Sequence, residues 1–375
     1  MTRRCALRLL VVGATPPPYF GMSTATECLL AALREADVSY AHVDIADRRD
    51  FGNMNRLEVG NVVLAARSAS CFLYKLAEYR PTVVYMPVAQ TTLGFLRDSL
   101  FLVPSRLLRK RVVVHLHGCQ LDTFHAGAPV LLKQLMKFSL GRVTTAIVLG
   151  AGGESQFRDL VPADRVRVVP NGLPDLVLPP GRCSNRPVTA LYLSTMMREK
   201  GILDLLRAMK LARKSVGDLR VVFAGGWYSA EDEAAFRTEL ATLGLNSGVE
   251  LLGPVEGAAR ERAFSEADYF VLPPRHVEGQ PFAILEAMRA ALPVVTTASG
   301  FIPQMVVSGE CGLVVPRGDV AALAEALVQL AQSSDLRVRM GHAARARYLA
   351  EYTLEKWSER MMAVFAEAAG LSPST

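Results

Sequence analysis

The feature that most limits the fold of this chain is a repeated alternation. A short apolar run is followed by a Gly/Pro-rich or polar break, then by a stretch with apolar residues at helical spacing. The first case is Leu7-Arg8-Leu9-Leu10-Val11-Val12-Gly13. The loop Thr15-Pro16-Pro17-Pro18-Tyr19-Phe20-Gly21-Met22 follows it, and then residues 23–33 at helical period, with Ser23 or Thr24 as the expected N-cap. Further strands are predicted at 82–86, 111–115, 145–149 and 166–169, with helical stretches between them. Short apolar runs separated by helices predict parallel strands covered on both faces.

At 178–187 the pattern breaks into Pro-Pro-Gly-Arg-Cys-Ser-Asn-Arg-Pro, the best linker candidate in the chain. A second series then predicts strands at 190–193, 220–224, 249–252, 269–272, 293–296 and 312–315. Its helices fall at 202–215, 231–243, 258–265, 281–291 and 320–332, and one long helical tail covers 335–369. The length of 375 residues suits two domains of about 150 residues each. The expected division is 1–180, 181–350 and a tail 351–375 that packs back on the first domain. Half the residues are hydrophobic, enough for two full cores. No apolar run approaches the roughly 20 residues of a membrane span. Arg3, Arg4 and Arg8 crowd the first apolar run, which does not read as a signal peptide.

The net charge of +6 is unevenly spread. Residues 1–190 hold 23 Lys and Arg against 14 Asp and Glu, a net of +9, and residues 191–375 hold 19 against 22, a net of −3. Either this is surface scatter or the two domains have different partners. The six cysteines, Cys5, Cys28, Cys71, Cys119, Cys183 and Cys311, show no zinc or redox spacing and suit a reducing compartment.

In doubly wound sheets ligands bind outside the carboxyl ends of strands, and a cleft between two such domains is the expected active site. Four strand ends carry candidate chemistry. After 269–272 comes Glu278-Gly279-Gln280-Pro281-Phe282-Ala283-Ile284-Leu285-Glu286-Ala287-Met288. Pro281 suits a first helical position, and the amides of Phe282 and Ala283 would present a phosphate-binding helix terminus. Glu278 and Glu286 read either as acceptors for sugar hydroxyls or as helix-terminus charges. After 190–193 comes Ser194-Thr195-Met196-Met197-Arg198-Glu199-Lys200-Gly201, a phosphate-binding loop or a solvated helix start. Strand 111–115 leads into His115-Leu116-His117-Gly118. The two histidines share a face and are packed residues, a metal pair or site residues. In the first loop Gly21 lets the backbone approach a ligand, or the loop has no role. No P-loop, Gly-x-Ser-x-Gly or Asp-x-Asp occurs, and Gly150-Ala151-Gly152-Gly153 lacks the third glycine of a dinucleotide fingerprint.

Glu278 and Glu286, with Leu292-Pro293-Val294-Val295-Thr296, Gly300-Phe301-Ile302-Pro303-Gln304 and Ser308-Gly309-Glu310-Cys311-Gly312-Leu313-Val314-Val315-Pro316-Arg317-Gly318-Asp319, resemble retaining glycosyltransferases of family 4. The resemblance runs in order across about 190–330. It implies a GT-B fold: α/β, with two Rossmann-like doubly wound domains facing a central cleft. It also implies an N-terminal acceptor domain and a C-terminal domain for a nucleotide-diphosphate sugar, UDP- or GDP-linked. By the same resemblance Glu278 contacts the donor sugar, Glu286 the ribose, and Lys200 with Ser194, Thr195 and the run Gly279 to Ala283 the diphosphate. His117 lies near the reaction centre and Gly21 near the donor phosphates or the acceptor. The family has no agreed protein nucleophile, so His117 is expected to position. Pro281 stands where a glycine is common, and Ser194-Thr195 where Gly-Arg is common, so Arg198 is the candidate replacement for the missing arginine.

The implied activity is metal-independent, retaining sugar transfer to a hydroxyl acceptor: a lipid-linked glycan, a polysaccharide precursor or a small molecule. No cofactor is implied. A nucleotide-sugar epimerase and a non-catalytic nucleotide-sugar-binding protein are the alternatives. Arg97 to Arg111 and 131–142, with Lys133, Lys137 and Arg142, mix apolar and basic residues. They read either as helices packed on the sheet or as a face for anionic membrane. The basic half thus points to a lipid surface or an anionic acceptor rather than to nucleic acid, and to a cytoplasmic protein, peripheral on the inner face of the membrane.

Overall fold

The computed structural model describes residues 7–17, 20–49, 58–176 and 187–371. Arg3, Arg4, Cys5, Pro18, Tyr19, Cys183 and nearly all of the expected linker, 178–186, lie outside the described residues. The chain divides into two compact units. One runs to Gly172 and resumes at Leu354, and the other is Leu173–Thr353.

The first unit is built on β1 (Arg8–Gly13), α1 (Gly21–Glu35), β2 (Ser39–Asp44), α2 (Val59–Glu78), β3 (Val83–Pro87), α3 (Thr92–Leu107), β4 (Arg111–His115), α4 (Leu121–Gly127), α5 (Val130–Leu140), β5 (Thr145–Val148) and β6 (Val166–Val168). Its six strands are all parallel in the order β2-β1-β3-β4-β5-β6. The core holds Leu10, Val12, Val84, Val114, Ala146 and Phe157 among others, because the central strands are apolar toward both helix layers. The expected cap of α1 differs. The helix begins at Gly21, and Ser23 lies inside it, its Oγ accepting from Phe20 N (3.0 Å) and donating to Phe20 O (2.9 Å). Ser23, in the first turn, therefore reaches back to the N-cap residue Phe20 rather than being the cap itself.

The second unit comprises β7 (Thr189–Leu193), α6 (Ile202–Ala212), β8 (Arg220–Ala224), α7 (Ala230–Leu243), β9 (Val249–Gly253), α8 (Gly257–Glu266), β10 (Tyr269–Leu272), α9 (Phe282–Arg289), β11 (Val294–Thr297), α10 (Ile302–Met305), β12 (Gly312–Val315), α11 (Val320–Gln332) and α12 (Ser334–Glu351). Its parallel order is β12-β11-β10-β7-β8-β9. The chain winds outward one way from β7 and then returns to start again at β10. Pro281 (φ −62°, ψ 122°) is the residue before α9, so the helix starts at Phe282, one place later than the expected first helical position at Pro281. The extended ψ of that residue keeps it out of the helix.

The tail is not one helix. α12 ends at Glu351 and α13 (Leu354–Ala369) follows as a separate helix of the first unit, where it packs on α1, β3 and β4. Leu173 N donates to Tyr352 O (3.0 Å), and Leu173 bridges Thr353. These main-chain bonds occupy the groups a continuous helix would use. In the first unit Phe365 of α13 meets the Tyr85 ring edge-on, centroids 5.6 Å apart.

Candidate active site

In the second sheet β7 and β10 are neighbours although two strands separate them in sequence. Such a topological switch point opens a crevice at the carboxyl ends of its two strands. The loop after β7 is 194–201 and the loop after β10 is 273–281, so the two motifs with the densest chemistry meet there.

The loops are tied together by main chain. Arg275 N donates to Glu199 O (2.8 Å), and the Arg275 side chain grips Asp204 of α6, Nε to Oδ2 and Nη2 to Oδ1, both 2.6 Å. Gly201 has φ +81°, and a Cβ there would overlap the Pro273 carbonyl oxygen. Gly300 (φ +52°) likewise lies against the Glu278 carbonyl, and Gly225 against that of Ser194. Only glycine fits such approaches at these φ values.

Glu278 is buried, 9% exposed. Its Oε1 accepts from Lys200 Nζ and from His276 Nε2, the latter at 3.1 Å. The His276 Nδ1 lies 2.9 Å from Glu199 O. Ser299, also buried, accepts at Oγ from Glu278 N (3.2 Å) and donates to His276 O (2.5 Å). Burial pushes the Glu278 carboxyl up, but Lys200 and His276 outweigh it and hold the group below its ordinary range. The bond to Glu278 in turn lifts the His276 imidazole above its ordinary value, against the opposing effect of burial.

Glu286 lies in the second turn of α9 and is 8% exposed. Arg260 of α8 holds it with two bonds. Arg198 turns to the buried Asp232 at the start of α7, its N and Nε both on Oδ1 at 3.1 and 2.9 Å. Ser194 N is bonded to Ala224 O and Thr195 O accepts from Tyr192 Oη, so both lie in the loop framework. Gly279 and Gln280 are buried beside Glu278, and Phe282 and Ala283 open α9. The structure thus brings Lys200, Glu278 and the 279–283 run together, and pairs Arg198 and Glu286 with other residues. His276, Arg260, Asp204, Asp232 and Ser299 take part in this framework without having been singled out in the sequence.

His117 and Gly21 belong to the first unit. Gly21 opens α1. His117 follows β4, and its ring stacks on that of His115, centroids 4.0 Å apart and planes 30° apart. Tyr85 Oη lies 2.9 Å from His115 Nδ1. Burial keeps both histidines neutral: it lowers His117 to about 4, and His115 falls well below its usual value through burial and then through His117. The same unit has a cavity of about 510 Å³ lined by Asp122 and His125 of α4, Lys133 and Lys137 of α5, and Ser155, Arg158 and Asp159. Its three permanent cations outnumber its two carboxylates. Among the described residues no group of three or more His, Cys, Asp and Glu is placed to hold a metal ion. Among them also no helix is long and apolar enough to cross a membrane.

Two Rossmann-like units, each a parallel six-stranded sheet wound by helices, define the GT-B class of fold. Residues 182–347, which make up most of the second unit, match the family of glycosyl transferases group 1. The likeness to known structures covers nearly the whole chain. Sucrose-phosphate synthase from Thermosynechococcus elongatus superposes with a TM-score of 0.77 at 18% identity, over 98% of this chain and all of that one. Anabaena HepE in complex with UDP-glucose gives 0.71 at 15% identity, over 96% and 100%. At these identities the likeness concerns fold alone. Among curated proteins, the GDP-mannose:cellobiosyl-diphosphopolyprenol alpha-mannosyltransferase of Xanthomonas oryzae pv. oryzae is 28% identical over 70% of this chain and 69% of its own. The amylovoran biosynthesis glycosyltransferase AmsK of Erwinia amylovora is 30% identical over 45% of this chain, and the match spans only 42% of that protein. The phosphatidyl-myo-inositol mannosyltransferase of Mycobacterium leprae is 32% identical over 44% of this chain and 42% of its own.

Proposed function

We propose that this protein is a retaining glycosyltransferase of family 4. It would move a sugar from a UDP- or GDP-sugar to a hydroxyl acceptor, with no metal ion and no cofactor. The observation that carries this reading is the Lys200–Glu278–His276 cluster, set where the second sheet reverses its winding and followed directly by the start of α9. Lys200 and the first-turn amides of α9 would stabilise the departing diphosphate, the main electrostatic task of such a transfer. Glu278 would accept hydrogen bonds from the sugar, and Glu286 from the ribose. The anomeric carbon–phosphate oxygen bond breaks and the bond to the acceptor oxygen forms on the same face, the acceptor proton leaving on a phosphate oxygen. Arg198 could serve the diphosphate only by leaving Asp232. His117, of the first unit, is read as a positioning residue.

The first unit is read as the acceptor unit. Two of its features favour an acceptor with an anionic, lipid-linked part. One is the cavity with Lys133, Lys137 and Arg158. The other is the apolar surface of α2, α3 and α5, where Val59 is 81% and Leu131 80% exposed, with Val63, Tyr74, Leu107 and Val130 also open. α3 packs against both α2 and α5, and Arg109 and Lys137 lie nearby in sequence. Apolar side chains mixed with lysine and arginine suit an anionic membrane surface. This reading places the protein in the cytoplasm, peripheral to the inner membrane face.

The test is a panel of UDP- and GDP-sugars. Binding is read by thermal shift, then transfer is read with a labelled sugar, with and without EDTA. Transfer that survives the chelator, with the product in the donor's anomeric configuration, is the expected result. Stabilisation without transfer to any acceptor would favour a binding protein, and interconversion of donor sugars an epimerase.

A further inference from the structure

The two acceptor-only partners of His276 fix its protonation. Glu199 O is a carbonyl and can only accept. The ionised Glu278 carboxylate can only accept. Nδ1 at 2.9 Å and Nε2 at 3.1 Å must therefore both carry hydrogen, which makes the ring an imidazolium. A neutral ring would aim a lone pair at one of these oxygens. Glu278 thus has two cations in the resting protein, and they are held very differently.

His276 is fixed from several sides. Its Nδ1 is tied to Glu199 O, the same carbonyl that accepts from Arg275 N (2.8 Å), and its own carbonyl accepts from Ser299 Oγ. Arg275, the neighbouring cation, is neutralised by Asp204. Lys200 is a compact charge on a flexible stem, able to turn toward another anion. A diphosphate in the crevice competes for it. A carboxylate only 9% exposed and left without a cation would be driven to take up a proton.

We propose that His276 is a positioning residue: it keeps Glu278 ionised and in place while Lys200 swings to the donor diphosphate. This rests on the donor-site reading given above. Two arrangements of one cluster follow. In the resting protein Lys200 and His276 share Glu278. With donor bound, His276 stays on it while Lys200 leaves. The charged groups that face the His276 ring are Glu278 of its own loop and Lys200 from the loop after β7, with Arg275 beside it. The buried Tyr192 phenol of β7 is kept protonated by burial first and by the Glu278 charge to a lesser degree.

The experiment has two arms. In the first, imidazole nitrogen NMR follows His276 in the wild-type protein, assigned with His276→Gln. His276 should titrate above the ordinary histidine value. Glu278→Gln should bring it down, and saturating UDP or GDP should raise it further, because the repulsion from Lys200 is removed. Titration at or below the ordinary value, or no response to Glu278→Gln, overturns the proposal. In the second arm, sugar transfer is measured against pH. Wild-type kcat should fall as pH rises through the His276 titration. His276→Gln should be slower by about 10-fold at neutral pH, or about 1.4 kcal/mol, and flat across that limb, with donor KM changed less than kcat. A variant with the wild-type rate and profile also overturns it. If no nucleotide sugar is turned over at all, the donor reading fails, while the resting titration still decides whether His276 is the fixed cation of Glu278.

Discussion

Arg260 clasps Glu286 with both arms of its guanidinium, Nε to Oε1 and Nη2 to Oε2, each at 2.6 Å. The two residues come from consecutive helices of the second unit, α8 and α9. A planar fork on a carboxylate fixes its orientation as well as its charge. Under the proposed reading this holds the Glu286 oxygens for the ribose. Arg260→Ala leaves a nearly buried carboxylate unpaired, at a cost of about 1–3 kcal/mol. The expected outcome is a lower melting temperature together with weaker UDP or GDP binding by calorimetry. Unchanged nucleotide affinity would separate Glu286 from the donor.

Lys200 and Glu278 act on one another before they act on a substrate, so their substitutions should not add. Each of Lys200→Ala and Glu278→Ala is expected to lower kcat by about 100-fold or more, the scale of losing one preorganised transition-state contact. The double variant should fall well short of the product of the two losses. Rates measured for all four proteins with one labelled donor decide this, and independent effects would argue that the pair is not one device.

The stacked His115 and His117 predict acid sensitivity of the first unit. Both are held neutral by burial, with folded values below the unfolded value of 6.5, about 4 for His117. Between those limits the unfolded chain binds more protons than the folded one, so stability is full above about 6.5 and declines as pH falls toward 4. His117 alone would contribute on the order of 3 kcal/mol to that decline. Denaturant melts of the wild type and His117→Gln across this range should show a shallower acid slope in the variant. Parallel slopes would place His117 in a wetter setting.

The mixed apolar and basic face of the first unit predicts retention on anionic vesicles. Flotation with phosphatidylglycerol vesicles should carry the protein, and neutral phosphatidylcholine vesicles should carry less. Leu131→Glu with Lys137→Glu should abolish the difference, because the apolar and the charged contributions are both removed. Equal flotation on the two lipids would leave the surplus charge to a soluble acceptor.

What could be read from the sequence followed the density of local signals. β10, its loop and α9 were legible because an apolar run, a Gly-Gln-Pro break and a helical period adjoin within 20 residues. β2 was not, because Ser39–Asp44 has one buried residue and otherwise reads as polar. The end of α12 was hidden because no Gly or Pro marks Tyr352-Thr353, and the break depends on Leu173, far away in sequence. The site shows the same division. Glu278, Glu286 and Lys200 stood out from their motifs. His276 had one usable signal, its place two residues before Glu278 in the loop that follows an apolar strand. Arg260 and Asp232 had none, being ordinary charges on polar helices until folding brings them to Glu286 and Arg198.

Gly201, Gly225 and Gly300 each let one loop rest directly on the peptide of another. At these three seams the walls of the crevice in the second unit meet main chain to main chain, with no side chain between the glycine and the carbonyl it faces. Residues that point into it can be exchanged without re-laying the walls, so preference for one sugar or base over another is open to change by single substitutions. A methyl group added at any of the three glycines works the opposite way: it alters no contact with a ligand, yet moves every group on the loop it pushes. Variation within this scaffold should accordingly be tolerated at the lining outside the Lys200–Glu278–His276 cluster and forbidden at its seams.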